Sequence, residues 1–159
     1  MGAGKTTLGK EIAKKMNLRF LDLDKMIMSD EGRTINQIFE EKGEKSFRKT
    51  ERKVLEKILE SDNYLLACGG GTPCYKDNME QMNAKGVSLF LDVPEEELVR
   101  RLSRNQASRP LLSDLNDQEL KEYIHKKLEG RQECYRKSKI WINPLATSVD
   151  TIIISLRYS

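Results

Sequence analysis

Apolar residues along this chain switch repeatedly between helical spacing and short unbroken runs. Leu8, Ile12, Ala13 and Met16 share one helical face, which predicts a helix over residues 4–16. Residues 19–24 read as a short strand, and helical stretches follow over 25–29, 34–42 and 44–60. The compact apolar run at 63–68 reads as a buried strand. It enters Gly69-Gly70-Gly71-Thr72-Pro73, a turn that neither helix nor strand would tolerate. A helix over 76–84 and a strand over 87–93 come next. Pro94 opens another helix at its first turn, where Glu95, Glu96 and Glu97 suit the positive helix end. That helix ends near Arg104, residues 105–115 are polar and loop-like, and a long helix covers 117–137. Residues 139–142 form a candidate edge strand. Residues 149–156 keep two readings: the β-branched run favours a strand, and the position after an edge strand favours a closing helix.

Strands alternating with helices predict an α/β domain, a three-layer α/β/α arrangement around a parallel sheet. At 159 residues, without repeats or a low-complexity linker, the chain reads as a single domain. Its 28 basic and 25 acidic residues nearly cancel, which argues against a dedicated nucleic-acid or membrane surface. No apolar run approaches membrane-span length and no signal peptide opens the chain. Cys68, Cys74 and Cys134 have neither metal spacing nor an even count, so they read as reduced thiols in a cytoplasmic protein. The lone His125 reads as a solvated residue of a charged helix.

The chemistry begins at the amino end. Met1-Gly2-Ala3-Gly4-Lys5-Thr6-Thr7 is the back half of the phosphate-binding pattern G-x-x-x-x-G-K-[ST]. Side chains must not intrude where backbone N–H groups curl around phosphate oxygens, hence Gly2, Ala3 and Gly4. Lys5 adds a point charge for the β- and γ-phosphates, and Thr6 can offer its hydroxyl to Mg²⁺. The other reading of these residues is a flexible Gly-rich terminus before a helix. The first glycine of the pattern, and the strand that delivers it, are expected upstream of Met1.

Asp22 and Asp24 alternate along the predicted strand, so both should project to one face. One could hold Mg²⁺ through water and the other could take a hydroxyl proton; alternatively the pair caps the next helix. Arg48 and Arg131 suit a bidentate grip on a carboxylate, or are surface arginines. Gly69, Gly70 and Gly71 allow backbone to approach a ligand, or only make a tight turn. Arg109-Pro110-Leu111-Leu112 lies in a loop long enough to be a lid over about residues 103–116. A lid arginine can neutralise charge on a transferring phosphoryl group.

Together these spacings resemble the shikimate kinase family, of the nucleoside-monophosphate-kinase-like P-loop fold. The resemblance runs from Met1 to about Lys137. It rests on the phosphate loop, Phe20-Leu21-Asp22-Leu23-Asp24, Gly43-Glu44 with Phe47-Arg48 and Glu51, Gly69 to Pro73, Arg109 to Leu112, and Arg131 with Tyr135. It implies ATP-dependent phosphorylation of the 3-hydroxyl of shikimate, on the route to chorismate and the aromatic amino acids. By matching position, Asp24 would hold the shikimate hydroxyls and act as base. Arg48 and Arg131 would grip its carboxylate, and Gly69, Gly70 and Gly71 would bring backbone N–H groups to it. Residues of about 25–60 would form the substrate-binding helical segment. ATP would lie on Gly2, Ala3, Gly4, Lys5, Thr6, Thr7 and Arg109. Mg²⁺ would take Thr6 directly and Asp22 through water, Glu51 would orient the arginines, and the enzyme would be a monomer.

Three departures stand out. In this fold the strand before the phosphate loop is central in a five-stranded sheet, so the first central strand is expected to be missing here. Its loss should be ruinous, since each unpaired buried backbone group costs roughly 1–3 kcal/mol against a total stability of about 5–15 kcal/mol. Glu133 and Cys134 stand where a proline usually precedes the tyrosine, and the tail after Trp141 matches poorly. Adenine contacts are therefore unassigned, with Arg101 and Arg104 as base-stacking candidates near the lid. A related kinase with another acceptor, such as gluconate or a nucleoside monophosphate, and an inactive nucleotide-binding fragment are the competing readings.

Overall fold

Gly4 starts helix α1 (Lys5–Lys15) from a left-handed conformation with φ of 86°, which a side chain would strain. The computed structural model describes residues 2–104, 112 and 115–159. Lys14 and Lys15 close α1 at its negative end. The chain then returns through β1 (Arg19–Asp22) and turns at once into α2 (Leu23–Glu31). Helix α3 (Ile35–Leu59) starts at a capping box, with Thr34 and Gln37 each satisfying the other's backbone N–H. It bends at Gly43, where φ is 72° and ψ 169°, so two helical pieces meet at the expected break.

Strand β2 (Tyr64–Ala67) pairs in parallel with β1, in the register Arg19 to Tyr64 and Asp22 to Ala67. After the glycine turn come α4 (Asn78–Lys85), β3 (Leu89–Leu91) and α5 (Glu95–Ser103). Helix α6 (Asp117–Glu129) is capped by Asn116 and Glu119, and the short α7 (Gln132–Tyr135) leads to β4 (Ile140–Ile142). Strand β4 pairs in parallel with β3, Leu89 opposite Ile140. Helix α8 (Val149–Arg157) closes the described chain. Among the described residues no helix is long and apolar enough to cross a membrane.

The structure breaks one predicted helix, decides one open reading, gives the exposed His125 a partner and shortens one strand. The predicted helix over 117–137 is broken: α6 ends at Gly130, and Arg131 stands at the cap of α7. Residues 149–156 are helix, because Val149, Ile152, Ile153 and Leu156 recur at helical spacing and pack on Ile12 and Ile142. His125 is exposed but has a partner, the Glu95 carboxylate 3.0 Å away, which raises the histidine's pKa. The strand predicted over 19–24 ends at Asp22, with consequences for the site.

Three apolar clusters hold the layers together. Leu23, Ile27, Ile38, Phe47, Val54 and Ile58 join α2 and α3 beneath β1 and β2. Val93, Leu98, Leu102, Leu112, Leu120 and Ile124 join α5 to α6, and Ala3 of the phosphate loop packs against them. The third cluster joins α1, β4 and α8. The described strands form two parallel pairs, β1–β2 and β3–β4, rather than one continuous sheet. Between β2 and β3 lies a cavity of about 850 Å³.

Candidate active site

The turn after β2 is the meeting point. A Cβ on Gly69 would sit 3.7 Å from Asp24 Oδ1 and 3.6 Å from Glu51 Oε1. One on Gly70 would sit 3.0 Å from both Arg131 Nη1 and the Tyr135 hydroxyl. One on Gly71 would collide with the Arg48 guanidinium. Arg48 thus overlies Gly71 and Arg131 overlies Gly70 too closely for a side chain, while Glu51 and Asp24 stand at contact distance from Gly69. The Gly70 carbonyl accepts a 2.8 Å bond from the Tyr135 hydroxyl, which fixes that phenol beside Arg131.

Glu51 organises this cluster. It is 1% exposed, and one carboxylate oxygen accepts from Arg48 Nη1 at 2.7 Å while the other accepts from Thr72 Oγ1 at 2.7 Å. A buried carboxylate persists when both oxygens are satisfied and a cation neutralises it. Arg48 keeps a looser contact to Glu44, at 3.4 Å, leaving its planar fork directed over Gly71. The turn is tied again from below, where Asn78 Nδ2 donates to the Thr72 carbonyl at 2.8 Å. Thr72 and Asn78 are fully buried supports of the site. Thr72 lies within the quoted glycine motif, but nothing in the sequence places it against Glu51 or marks Asn78.

Asp22 and Asp24 do not alternate along one strand. Asp22 ends β1 and caps α2, its Oδ1 accepting from Lys25 N at 3.3 Å. Asp24 already lies in the first turn of α2. The capping alternative thus holds for Asp22, and the helical turn rather than the strand pleat separates the two carboxylates. Asp22 still faces the phosphate loop: Thr6 Oγ1 donates to its Oδ2 at 3.5 Å. Asp24 faces the glycine turn, and its carboxyl pKa is raised. Burial is the main cause, reinforced by the negative charges of Asp22 and Glu51 and opposed by Lys5 and Arg48. The Cys68 thiol is pushed up to about 12, chiefly by burial, so it stays protonated and unreactive near neutral pH.

At the amino end, the Gly2 carbonyl accepts from Arg101 Nη1 at 3.1 Å, and Arg101 also holds Glu97. Glu97 is held at about 2 by its bonds to Arg100 and Arg101. Thr6 and Thr7 are exposed at the start of α1, where the positive helix end favours an anion. A hydroxyl and a carboxylate side by side are hard oxygen donors of the kind Mg²⁺ takes together with phosphate oxygens, so Thr6 and Asp22 fit that ion.

A family model described as SKI: Shikimate kinase matches residues 1–155. The chain belongs to the shikimate kinase family. The shikimate kinase of Phocaeicola vulgatus is 47% identical over 139 residues, which are 87% of this chain and 79% of that protein. That of Parabacteroides distasonis is 45% identical over 88% of this chain and 81% of its own length. The crystal structure of shikimate kinase from Bacteroides thetaiotaomicron superposes with a TM-score of 0.91 at 39% identity, covering 99% of this chain and 92% of that one. The Acinetobacter baumannii shikimate kinase, solved in complex with shikimate, gives a TM-score of 0.85 at 31% identity, covering 99% and 86%. The fold is therefore that of the P-loop kinases of this family.

Within that fold, the residues singled out for a shikimate kinase fall into two groups. Asp24, Arg48, Glu51, Gly69, Gly70, Gly71 and Arg131 converge on the glycine turn. Gly2, Ala3, Gly4, Thr6, Thr7 and Asp22 stand at the start of α1 and the end of β1. Lys5 joins the two, close enough to oppose the rise in the Asp24 pKa. Arg109 and the centre of the predicted lid lie outside the described residues.

Proposed function

We propose that this chain transfers the γ-phosphoryl group of ATP to the 3-hydroxyl of shikimate, giving shikimate 3-phosphate and ADP. The observation that carries the reading is the ring of charge over Gly69 to Gly71: two guanidiniums, Arg48 and Arg131, opposite the Asp24 carboxylate. A small polyhydroxy acid offers little apolar surface. It needs two-pronged cations for its carboxylate at one end and a hydrogen-bond acceptor for its hydroxyls at the other. In this reading Arg48 and Arg131 take the carboxylate, and Gly70 offers backbone at the bend. Asp24 orients the reacting hydroxyl.

The raised pKa of Asp24 makes it a stronger proton acceptor than an ordinary carboxylate. The hydroxyl oxygen forms its bond to the γ-phosphorus as the bond to the β,γ-bridging oxygen breaks. The hydroxyl proton passes to Asp24, and ADP leaves with the bridging oxygen. Lys5 and the backbone from Gly2 to Gly4 neutralise and hold the phosphates, and Arg109 supplies a further cation from the lid. Thr6 and Asp22 would hold Mg²⁺, which spreads the negative charge of the triphosphate. Positioning and charge neutralisation thus do most of the work. The enzyme acts as a cytoplasmic monomer in this reading, and its three cysteines are unpaired thiols.

ADP release coupled to NADH oxidation tests this, with shikimate, gluconate or a nucleoside monophosphate as acceptor and with or without Mg²⁺. Turnover with shikimate that requires Mg²⁺, and a phosphomonoester at the 3-position by ³¹P NMR, is the expected result. Turnover with gluconate or the monophosphate but not shikimate would overturn it.

A further inference from the structure

Among the described residues, Arg48 is shared by two carboxylates of unequal standing. Its Nη1 donates to the buried Glu51 at 2.7 Å. Its Nη2 donates to Glu44 Oε1 at 3.4 Å, and the Glu44 side chain is 68% exposed. The guanidinium also lies over the Phe47 ring, 5.2 Å from its centroid. Nη2 is the atom closest to a would-be Cβ on Gly71, so it is the end of the fork that overhangs the glycine turn. The inner bond fixes the arginine. The outer one sits on the end that faces the proposed ligand.

The break in α3 explains where Glu44 stands. Gly43 is non-helical, so Glu44 opens the second helical piece. A negative side chain is favoured at the positive end of a helix. Arg48 follows one turn later, at the i,i+4 spacing that brings side chains together. Glu44 therefore keeps a favourable setting when it releases Arg48, because the helix end remains and water solvates its exposed carboxylate. Glu51 has no such alternative, since releasing Arg48 would strand a buried charge. An incoming anion can thus displace Glu44 but not Glu51.

We propose that Glu44 is a built-in stand-in for the ligand carboxylate, holding the turn-facing N–H of Arg48 until the acid substrate displaces it. This rests on the reading of Arg48 as part of the carboxylate grip. The stand-in makes the site selective. An inorganic anion or a simple carboxylate must give Arg48 more than Glu44 already gives it, with charge as its one means of doing so. A polyhydroxy acid brings hydroxyls for Asp24 as well, and those contacts drive the exchange. Glu44 acts through Arg48 and touches no substrate atom itself. It sets specificity, at a small loss of affinity for the right ligand.

The test is Glu44→Gln in the whole chain, which keeps the side chain's size and removes its charge. Calorimetric titration with shikimate, in the absence of ATP, reads affinity without turnover. It is repeated with sodium sulfate present at matched ionic strength. An exposed ion pair is worth little, so the Kd of shikimate should fall by roughly two- to fivefold in the variant. Sulfate should weaken shikimate binding more in the variant than in the parent protein, because it meets an Arg48 whose outer N–H is no longer held by a charge. A folded variant that binds shikimate no tighter than the parent would overturn the proposal. Weaker binding would do so too, since a Glu44 that merely steadied Arg48 would help the ligand rather than compete with it. Equal sensitivity to sulfate would count against it in the same way. A parent protein that binds no shikimate at all would instead overturn the carboxylate-grip reading, and this proposal with it.

Discussion

Replacing Gly71 by alanine separates the two halves of the proposed substrate grip. A Cβ there would lie 2.8 Å from the Arg48 Cζ and 3.0 Å from its Nη1, with Nη2 closer still. A free arginine would swing away at little cost, but this one is anchored by the 2.7 Å bond to Glu51, itself 1% exposed. The guanidinium must retreat while that bond stretches, so the fork no longer presents both N–H groups above the turn. Losing a charge-assisted hydrogen-bonded contact costs about 1.5–3 kcal/mol. KM for shikimate should therefore rise roughly ten- to a hundredfold. The fold should lose less, about 1 kcal/mol if the Glu51 pair deforms without breaking, or roughly 2–4 °C in Tm. KM for ATP should stay put, because Lys5 and Thr6 sit on α1 rather than on the turn. Gly86→Ala is the matched control: nothing lies within 4 Å of its Cβ, and at φ −172° its backbone is extended. Steady-state kinetics with each substrate varied, beside calorimetric melting, decides the matter. An unchanged KM for shikimate in a folded Gly71→Ala protein would refute the role of Arg48. A parallel rise for ATP would show a general distortion instead.

Three further outcomes are expected. Asp24→Asn should lower kcat by roughly 10²–10⁴-fold while raising Tm at neutral pH. The folded pKa of Asp24 lies above its ordinary value of 3.8, so its stabilising contribution is complete only below the unfolded value and is lost as pH rises through the folded one. Melting across pH 3–8 checks the sign, and the acid limb of kcat against pH should vanish in the variant. Glu51→Ala should cost about 3–5 kcal/mol by leaving Arg48 and Thr72 without their buried partner, and Glu51→Gln should cost less; urea unfolding measures both. Asp22→Asn should raise half-saturating Mg²⁺ about tenfold with Tm unchanged, since asparagine caps α2 as well as aspartate, whereas Asp22→Ala should lose about 1 kcal/mol in addition.

Much of this was legible in the residues because local physics dictated it. The α1 stripe, the break at Gly43 and the glycine turn follow from spacing and backbone freedom alone. Where the boundary was misplaced or the period left open, a cap or a packing contact decides. Asp22 is both the last strand residue and a helix cap, and a period-two reading runs through a cap without noticing it. The side-chain bond to Lys25 N decides the boundary, and aspartate three residues ahead of a donor was the available signal. In the last segment, Thr151-Ile152-Ile153-Ile154 has the composition of a strand. Ser148 caps it as a helix, and only the burial of Ile152 and Ile153 against α1 settles the period. Gly130 is one weak breaker in a highly charged stretch, and the Lys126 carbonyl 3.3 Å from its would-be Cβ shows how tightly the turn closes there.

What no spacing could reveal is the link between Glu51 and Thr72, 21 residues apart. It explains why a buried carboxylate stands in a site that must bind an acid. A bare Glu51 would repel the substrate, but its charge is already spent on Arg48 and its second oxygen on the Thr72 hydroxyl. The net effect on an incoming carboxylate is an arginine fixed in direction at no cost at the moment of binding. After burial and the charge of Asp22, the same carboxylate adds to the raised pKa of Asp24. One buried residue therefore reaches both ends of the proposed site, holding a cation for the acid group and adding to the basicity that burial and Asp22 give the base. That double duty makes Glu51 worth its desolvation, where an apolar residue of similar size would pack more stably.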